Sequence, residues 1–353
     1  MNVRIVRELP VQQWEAYVNE HPLGNIFHTP QMFHVFERGK GYQPQLWAAT
    51  RNEKILALFL PVNVSLTRGL LSPLTTRSIA YGGILFTPSA EGRRALSFLL
   101  EAYTRQANGH PLFTELRHLS DMGSAQSIFS QYGFTYEDHL NYLIDLGRSP
   151  EAIFQSIGCR TRKNLKRKLN REIVMIEEVK EKSQLPLCYE MLKRTYRAAR
   201  VPLADPSLFE AAFNILHPLG MVRFSLATVK DRPAVVSIEL LYKDIAYGWY
   251  GGMDRECSAY CPCDLLTWDV LKWAAENGFK VYDFGGAGKP DEEYGVRDFK
   301  AKFGGKLVCY GRNTFVHAPH LLSLSRMGYS LVRSLSAMVP SHLAGEKNVP
   351  LQS

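Results

Sequence analysis

No apolar run in the chain approaches the roughly 18 residues that a membrane-crossing helix needs. Its opening, MNVRIVRELPVQQW, lacks the hydrophobic core and cleavage site of an export leader. Both absences point to a cytoplasmic protein. Cysteine is sparse as well: Cys159, Cys188, Cys257, Cys261, Cys263 and Cys309 are the six in 353 residues, and they read as reduced thiols rather than a disulfide framework. Cys257, Cys261 and Cys263 cluster, but the spacing Cys-x-x-x-Cys-x-Cys has no second Cys-x-x-Cys pair or helical histidine pair beside it, so no metal site is expected. With 46% hydrophobic and 22% charged residues, disorder and fibrous repeats are excluded too. What the chain does have is positive charge. Forty-two Lys and Arg against 34 Asp and Glu leave +8, which favours an anionic partner: a phosphate, a nucleic acid or a membrane surface.

The length suggests two domains, and the pattern of elements is α/β (α+β) and repeats. Strand-like segments Gln45–Thr50 and Lys54–Val64 flank a turn, and a strand then ends in Tyr81-Gly82-Gly83. A helix over Glu91–Asn108 leads into the strand Leu112–Leu116. In the second half, Phe224–Val229 and Ala234–Tyr242 flank a turn, Ile245–Tyr250 runs into Gly251-Gly252, and a helix over Leu265–Asn277 precedes the strand Lys280–Phe284. Gly82 and Gly251 are 169 residues apart, and the acids Glu115 and Asp283 in the strand after each helix are 168 apart. Their shared order is that of one β-β-β-α-β unit present twice. The first copy carries a longer loop, Ser65–Arg77. The division expected is a first domain at 1–150, a basic linker helix with its lead-in strand at 151–180, a second domain at 181–316 and an amphipathic tail at 317–353.

Within the linker, residues 160–171 hold seven basic residues and no acid in twelve positions. Leu165 and Leu169 stand at i and i+4, so a helix here would dock one narrow apolar edge and present cations elsewhere. A solvated helix face and a phosphate or tRNA contact both fit that pattern.

The segment Val281-Tyr-Asp-Phe-Gly-Gly, with Gly295-Val296, Phe299-Lys300 and Phe303-Gly304 after it, resembles the C-terminal signature of the Fem family. Phe27-His-Thr-Pro30 with Phe33, the Tyr81-Gly82-Gly83 strand end and the Arg162-Lys163-Asn164-Leu165 run are similar to further family patterns, so the resemblance extends over residues 3 to 315. Members are aminoacyltransferases that add bridge residues to peptidoglycan precursors. The resemblance implies two tandem GNAT-like acyltransferase domains with a basic inter-domain helix. In that fold two neighbouring parallel strands part and free backbone N–H groups to hold a carbonyl beside an attacking amine. The Gly-Gly pairs are where such backbone approach needs residues without a Cβ. It further implies catalytic roles for Lys300, which would stabilise developing negative charge or hold the phosphate end of the donor, and for Phe299 packed beside it. Arg162 would contact an acceptor pyrophosphate, a task that suits a guanidinium fork, and Arg38 is the weaker counterpart in the first half. Tyr81, Tyr250, Tyr294 and Arg297 complete the candidate substrate-binding set.

Asp283 lies in an apolar strand, and two roles stay open for it: a general base of raised pKa, or a cap for the glycine-rich loop behind it. Some family members carry an acid after the first Gly-rich strand end, where this chain reads Ile84-Leu85-Phe86.

The donor is read from another absence. Acetyl-CoA enzymes show a glycine-rich turn that opens a helix onto the pyrophosphate, whereas Asp254–Asp264 contains no glycine. The expectation is therefore no tightly bound cofactor and an aminoacyl-tRNA donor ahead of acyl-CoA. The acceptor expected is an amine on an anionic, nucleotide- or lipid-linked envelope precursor of peptidoglycan or polysaccharide type. Acyl-CoA-dependent N-acyl transfer in polysaccharide synthesis and an inert RNA- or membrane-binding module are the alternatives. In the tail, Leu324, Met327, Leu331, Val332, Leu335 and Met338 share one side opposite Arg326 and Arg333. That side would pack on the second domain or rest peripherally on the inner membrane surface.

Overall fold

A computed structural model describes residues 3–67, 69–106, 111–169 and 173–327. Its strands are β1 (Arg4–Val6), β2 (Tyr42–Pro44), β3 (Trp47–Arg51), β4 (Lys54–Phe59), β5 (Val62–Ser65), β6 (Thr76–Tyr81), β7 (Ile84–Phe86), β8 (Phe113–Arg117) and β9 (Thr135–Glu137). They continue as β10 (Leu140–Asp145), β11 (Val174–Glu178), β12 (Val222–Val229), β13 (Arg232–Tyr242), β14 (Ile245–Met253), β15 (Val281–Gly286), β16 (Lys306–Cys309) and β17 (Arg312–Val316). The described residues divide into two compact units, 3–138 with 310–327 in the first and 139–309 in the second.

The first unit holds a four-stranded sheet, β1-β3-β4-β7, and a six-stranded sheet, β2-β5-β6-β8-β17-β9. A single strand expected over Lys54–Val64 is two, because Leu60-Pro61 interrupts it. Proline has no N–H to give a ladder, so the chain leaves one sheet as β4 and enters the other as β5. The helix Ala90–Gln106 supplies the apolar stripe Ala95, Leu96, Leu99, Leu100 and Tyr103 to a core that also contains Trp47, Phe59 and Phe129. That spacing is the one-sided pattern of an amphipathic helix on a sheet.

The second unit is one seven-stranded sheet, β11-β12-β13-β14-β15-β10-β16. Here β13 runs unbroken for eleven residues. The helix Pro262–Glu276 buries Leu265, Leu266, Val270, Leu271 and Ala274 into the core. Each unit contains a parallel pair, β6 with β8 and β14 with β15, and a helix connects the two strands of each. The duplicated unit read from the spacing of Gly82, Gly251, Glu115 and Asp283 is this arrangement.

The chain crosses between units twice. β10 inserts between β15 and β16 of the second sheet, and β17 inserts between β8 and β9 of the first. The sheets therefore divide at 138/139 and 309/310, not at the expected 150 and 316. An apolar six-residue segment announces a strand but not its partners, and the pairing partners decide to which unit it belongs.

The basic segment is a helix, Cys159–Leu169, as expected, but it is built into the second unit rather than standing as a linker. Leu165 is 1% exposed within that unit's core. Its companion on the buried edge is Thr161, four residues before, whereas Leu169 is 46% exposed. Asn170 and Arg171 lie outside the described residues. The tail begins in the first unit, where Ser325 Oγ donates to Leu74 O at 2.7 Å and Leu322 is the buried residue. Leu324 and Met327, expected to be covered, are 53% and 60% exposed. Leu331, Val332, Arg333, Leu335 and Met338 lie outside the described residues. No helix among the described residues is long and apolar enough to cross a membrane.

Candidate active site

β14 and β15 pair only from Ile245/Val281 to Tyr247/Asp283. Beyond that point β14 continues to Met253 and β15 to Gly286 without pairing to each other, so the strands part. Two of the β15 carbonyls beyond the parting, Phe284 O and Gly286 O, accept hydrogen bonds from Lys300 Nζ at 2.7 Å each. Lys300 comes from the short helix Gly295–Ala301 and is fully buried. Burial pulls its pKa down to about 7, with the nearby Asp283 carboxyl opposing the shift. As ammonium or as neutral amine it keeps the two protons that the carbonyls require.

Asp283 points away from Tyr282 and Phe284 by the alternation of the strand. It accepts from the Gly285 N–H at 2.7 Å, and Asn141 Nδ2 of β10 lies 3.4 Å from both of its oxygens. Burial pushes its carboxyl up to about 6, opposed by the Gly285 hydrogen bond, Lys300 and Asn141. Of its two open roles, the loop cap is the one these contacts describe. Lys300, Asp283 and Asn141 together fix the strand end and the turn that follow the parting.

Phe299 is half-buried beside Phe303 and lines two cavities. The larger, about 580 Å³, is formed by Arg160 and Asn164 of the basic helix, Met253 at the end of β14, Cys261 to Asp264, Gly295 and Lys302 among others. It opens on the N-terminus of the fifteen-residue helix Pro262–Glu276, whose cap position, Cys261, is left-handed (φ 56°) and makes no side-chain capping bond. Such an end presents unsatisfied N–H groups and a positive dipole pole to an anion. Arg160 and Lys302 add two cations; Lys302 Nζ lies 3.8 Å from Asp264 and 5.1 Å from the centre of the Phe299 ring.

The remaining expected residues take their places as follows. Arg162 Nη1 donates to the Gln155 and Ile157 carbonyls, closing the end of the helix Pro150–Ser156. Arg297 binds the carbonyls of Ala287, Lys289 and Pro290, so its guanidinium clamps the loop after β15. Tyr294 caps the Gly295–Ala301 helix from a half-buried position over Gly288, where an added Cβ would come within 3.0 Å of its ring. Tyr250 packs edge-on against Phe209 at 4.8 Å and lines the smaller cavity. In the first unit, Tyr81 stacks on Phe27 and Phe36, each at 5.4 Å, and Arg38 is exposed in the last turn of the helix Pro30–Arg38. The structure thus groups Lys300, Phe299, Asp283, Tyr250, Tyr294 and Arg297 around the parted strands, and it engages Arg162 and Arg297 with backbone carbonyls.

The two Gly-Gly pairs differ. Gly82 and Gly83 are both left-handed (φ 79°), forming a turn that a Cβ would strain. Gly252 is ordinary strand, but a Cβ there would meet the backbone of Met191 and Leu192 at 2.9 to 3.0 Å. What approaches it is the protein's own helix, Leu185–Ala199, not a ligand.

Three residues escaped the sequence reading. Arg160 and Lys302 were hidden among other cations, and only the fold shows which of these face the cavity. Glu239 left a signal that went unused: a carboxylate inside the apolar strand Ala234–Tyr242. It is 1% exposed, and burial pushes its pKa up to about 7 despite the opposing Arg223.

Residues 160–300 match the family described as acetyltransferase (GNAT) domain. Among solved structures, the fold is similar to that of FemX, with TM-score 0.69 at 16% identity over 91% of this chain and 99% of that one. A tandem GNAT protein from the clavulanic acid biosynthesis pathway aligns with TM-score 0.57 at 11% identity, covering 90% and 99% of the two chains. L-PGS from Bacillus licheniformis aligns with TM-score 0.55 at 11% identity, covering 91% and 97%. No curated protein sequence matches the chain. The GNAT match covers the parted strands, the basic helix and Lys300, and the similarities over nine-tenths of the chain are in fold: the chain has a tandem GNAT fold, similar to that of FemX.

Proposed function

We propose that the protein transfers an aminoacyl group from a charged tRNA to an amine of an anionic cell-envelope precursor, forming an amide. The observation that carries this reading is the 580 Å³ cavity at the end of β14, with the Pro262–Glu276 helix N-terminus, Arg160 and Lys302 around it. A donor with a phosphate-bearing end finds countercharge in Arg160 and the helix end, with Lys302 shared between it and Asp264 of the same wall. The 3′ end of a tRNA meets that description and adds a polyanion for the outward cations of the Cys159–Leu169 helix. Asp254–Asp264 has no glycine to wrap a CoA pyrophosphate in the usual turn.

In this reading Lys300 is a positioning residue. Held by Phe284 O and Gly286 O, it keeps the strand end rigid so that the donor carbonyl and the amine meet in a fixed geometry. Acyl-CoA is the second reading, supported by the same uncapped helix end.

The test is transfer itself. With the full chain, radiolabelled aminoacyl-tRNA and a nucleotide-linked peptidoglycan precursor, label should move to the precursor. Arg160→Ser with Lys302→Ser should slow that transfer at least ~10-fold, the effect of losing about 1.4 kcal/mol of binding. Label moving from acyl-CoA and never from tRNA would overturn the donor assignment.

A further inference from the structure

Behind the donor cavity lies a second, smaller chamber of about 40 Å³. Cys263 and Phe299 line both, so they form the partition between them. The chamber lies between β13, β14 and β15 and the helix Pro262–Glu276, with Ser237, Glu239, Gly248, Tyr250, Tyr282 and Thr267 among its walls. It has room for about three waters or one small polar group.

Its polarity is unusual for a place so deep in a core. Glu239 is 1% exposed; its Oε2 has no partner at hydrogen-bond geometry, and the Ser237 hydroxyl two residues before it is a nearby group that favours its ionised form. Oε1 accepts a long bond of 3.5 Å from the Tyr282 hydroxyl. Arg223 stands directly opposite Glu239 on β12 and supplies the guanidinium that opposes its raised pKa. Arg223 is itself shared with Glu178 and Asp269, each at 3.6 Å. Arg223 is thus divided among three acids, with His217 3.9 Å from Glu178 as that acid's other partner, and burial, with a pKa of about 7, leaves Glu239 short of a countercharge of its own. A buried carboxylate costs several kcal/mol unless it is paired, so a chamber that keeps one facing an unfilled space is complementary to a cation.

We propose that this chamber receives an ammonium group carried by the acyl chain being transferred, and that Glu239 is the carboxylate that neutralises it, with Tyr282 fixing its orientation. The inference rests on the donor reading above and deepens it: the site selects aminoacyl over plain acyl groups.

Three probes separate the sources of the ammonium: amides of 3′-amino-3′-deoxyadenosine with alanine, with propionic acid and with 6-aminohexanoic acid. They present, respectively, an α-ammonium, no ammonium and a terminal one. By calorimetry on the full chain, one of the two charged probes should bind at least ~10-fold more tightly than the propionyl amide. Glu239→Gln, which keeps shape and removes charge, should bring that ratio to about one while leaving propionyl affinity unchanged. Tyr282→Phe should lower the ratio two- to threefold, and it serves as the reporter if Glu239→Gln does not fold. Equal binding of all three probes to the unaltered protein, or a ratio that survives Glu239→Gln, would overturn the chamber while leaving the donor reading intact. Failure of every adenosine probe alongside binding of acyl-CoA would overturn both.

Discussion

The two units place a carboxyl at the same position, in the strand that follows the crossover helix, and treat it in opposite ways. Around Glu115 of β8, burial alone would raise the pKa, but Arg117, Arg312 and Arg77 outweigh it and hold the group at about 2. Arg117 Nε lies 2.6 Å and Arg312 Nη1 3.2 Å from its Oε1. Around Asp283 of β15, among the described residues, Gly285, Lys300 and Asn141 take the place of the arginines, and burial prevails, raising the group to about 6. Its neighbours are one amide N–H, Asn141 and Lys300. One copy of the unit has turned the position into an ion-paired brace across three strands. The other keeps it in a buried network with Lys300 and Asn141 at the point where β14 and β15 part. Duplication has left the backbone topology alike and divided the labour between side chains.

The sharpest way to break this contrast is Lys300→Met. It leaves the Phe284 and Gly286 carbonyls buried without donors and should cost about 3 kcal/mol or more, seen as a lower urea midpoint and faster hydrogen exchange along β15. Acyl transfer should fall with it. A variant with normal stability and full activity would show that the second unit does not depend on this network.

In the first unit, Glu115→Gln strands two half-buried arginines and should cost about 2 to 3 kcal/mol. The effect should appear as a fall in melting temperature, with the donor site unaffected.

The pH responses of the two positions have opposite signs. Asp283 ionises at about 6 when folded and near 3.8 when unfolded, so its contribution is complete below pH 4 and is lost as pH rises to 6. Glu115, at about 2 folded against 4.5 unfolded, contributes above pH 4.5 and loses that contribution as pH falls toward 2. In stability profiles, Asp283→Asn should therefore remove a decline between pH 4 and 6, and Glu115→Gln a decline below 4.5. Profiles that change in the same direction would contradict the division of roles.

A smaller effect is expected of Gly252→Ala. The new methyl meets helix backbone, which cannot swing aside, and should cost about 1 to 3 kcal/mol. Smallest of all, Arg160→Ser should stay within about 0.5 kcal/mol of the parent stability, since the residue is exposed. Its effect should be confined to donor binding.

Much of this molecule was legible before any coordinates. The spacing of Gly82, Gly251, Glu115 and Asp283 revealed the repeat, and the run from Arg160 onward announced a basic helix. Asp283 stood out as an acid inside an apolar strand. Glu239 sent the same signal from within the strand Ala234–Tyr242. The assignment of β10 and β17 to their sheets was not legible, because a segment of five or six residues announces a strand but not its pairing partners. Nor were the tasks of Arg162 and Arg297. A guanidinium reads alike in sequence whether it meets a phosphate or the last carbonyls of a helix.

By itself, then, the sequence determined the local and the periodic: which segments are strands and helices, that one unit occurs twice, and where positive charge is concentrated. These follow from side-chain alternation and backbone preference within a few residues of each position. Tertiary structure alone decided what depends on neighbours far along the chain. It parted β14 from β15, and it chose Arg160 and Lys302 from among many cations to line the large cavity at the end of β14. It buried Lys300 against two carbonyls and left Glu239 facing a chamber. Burial and pairing set the charge state and the task of each of these groups, and both are properties of the packed neighbourhood rather than of the residue.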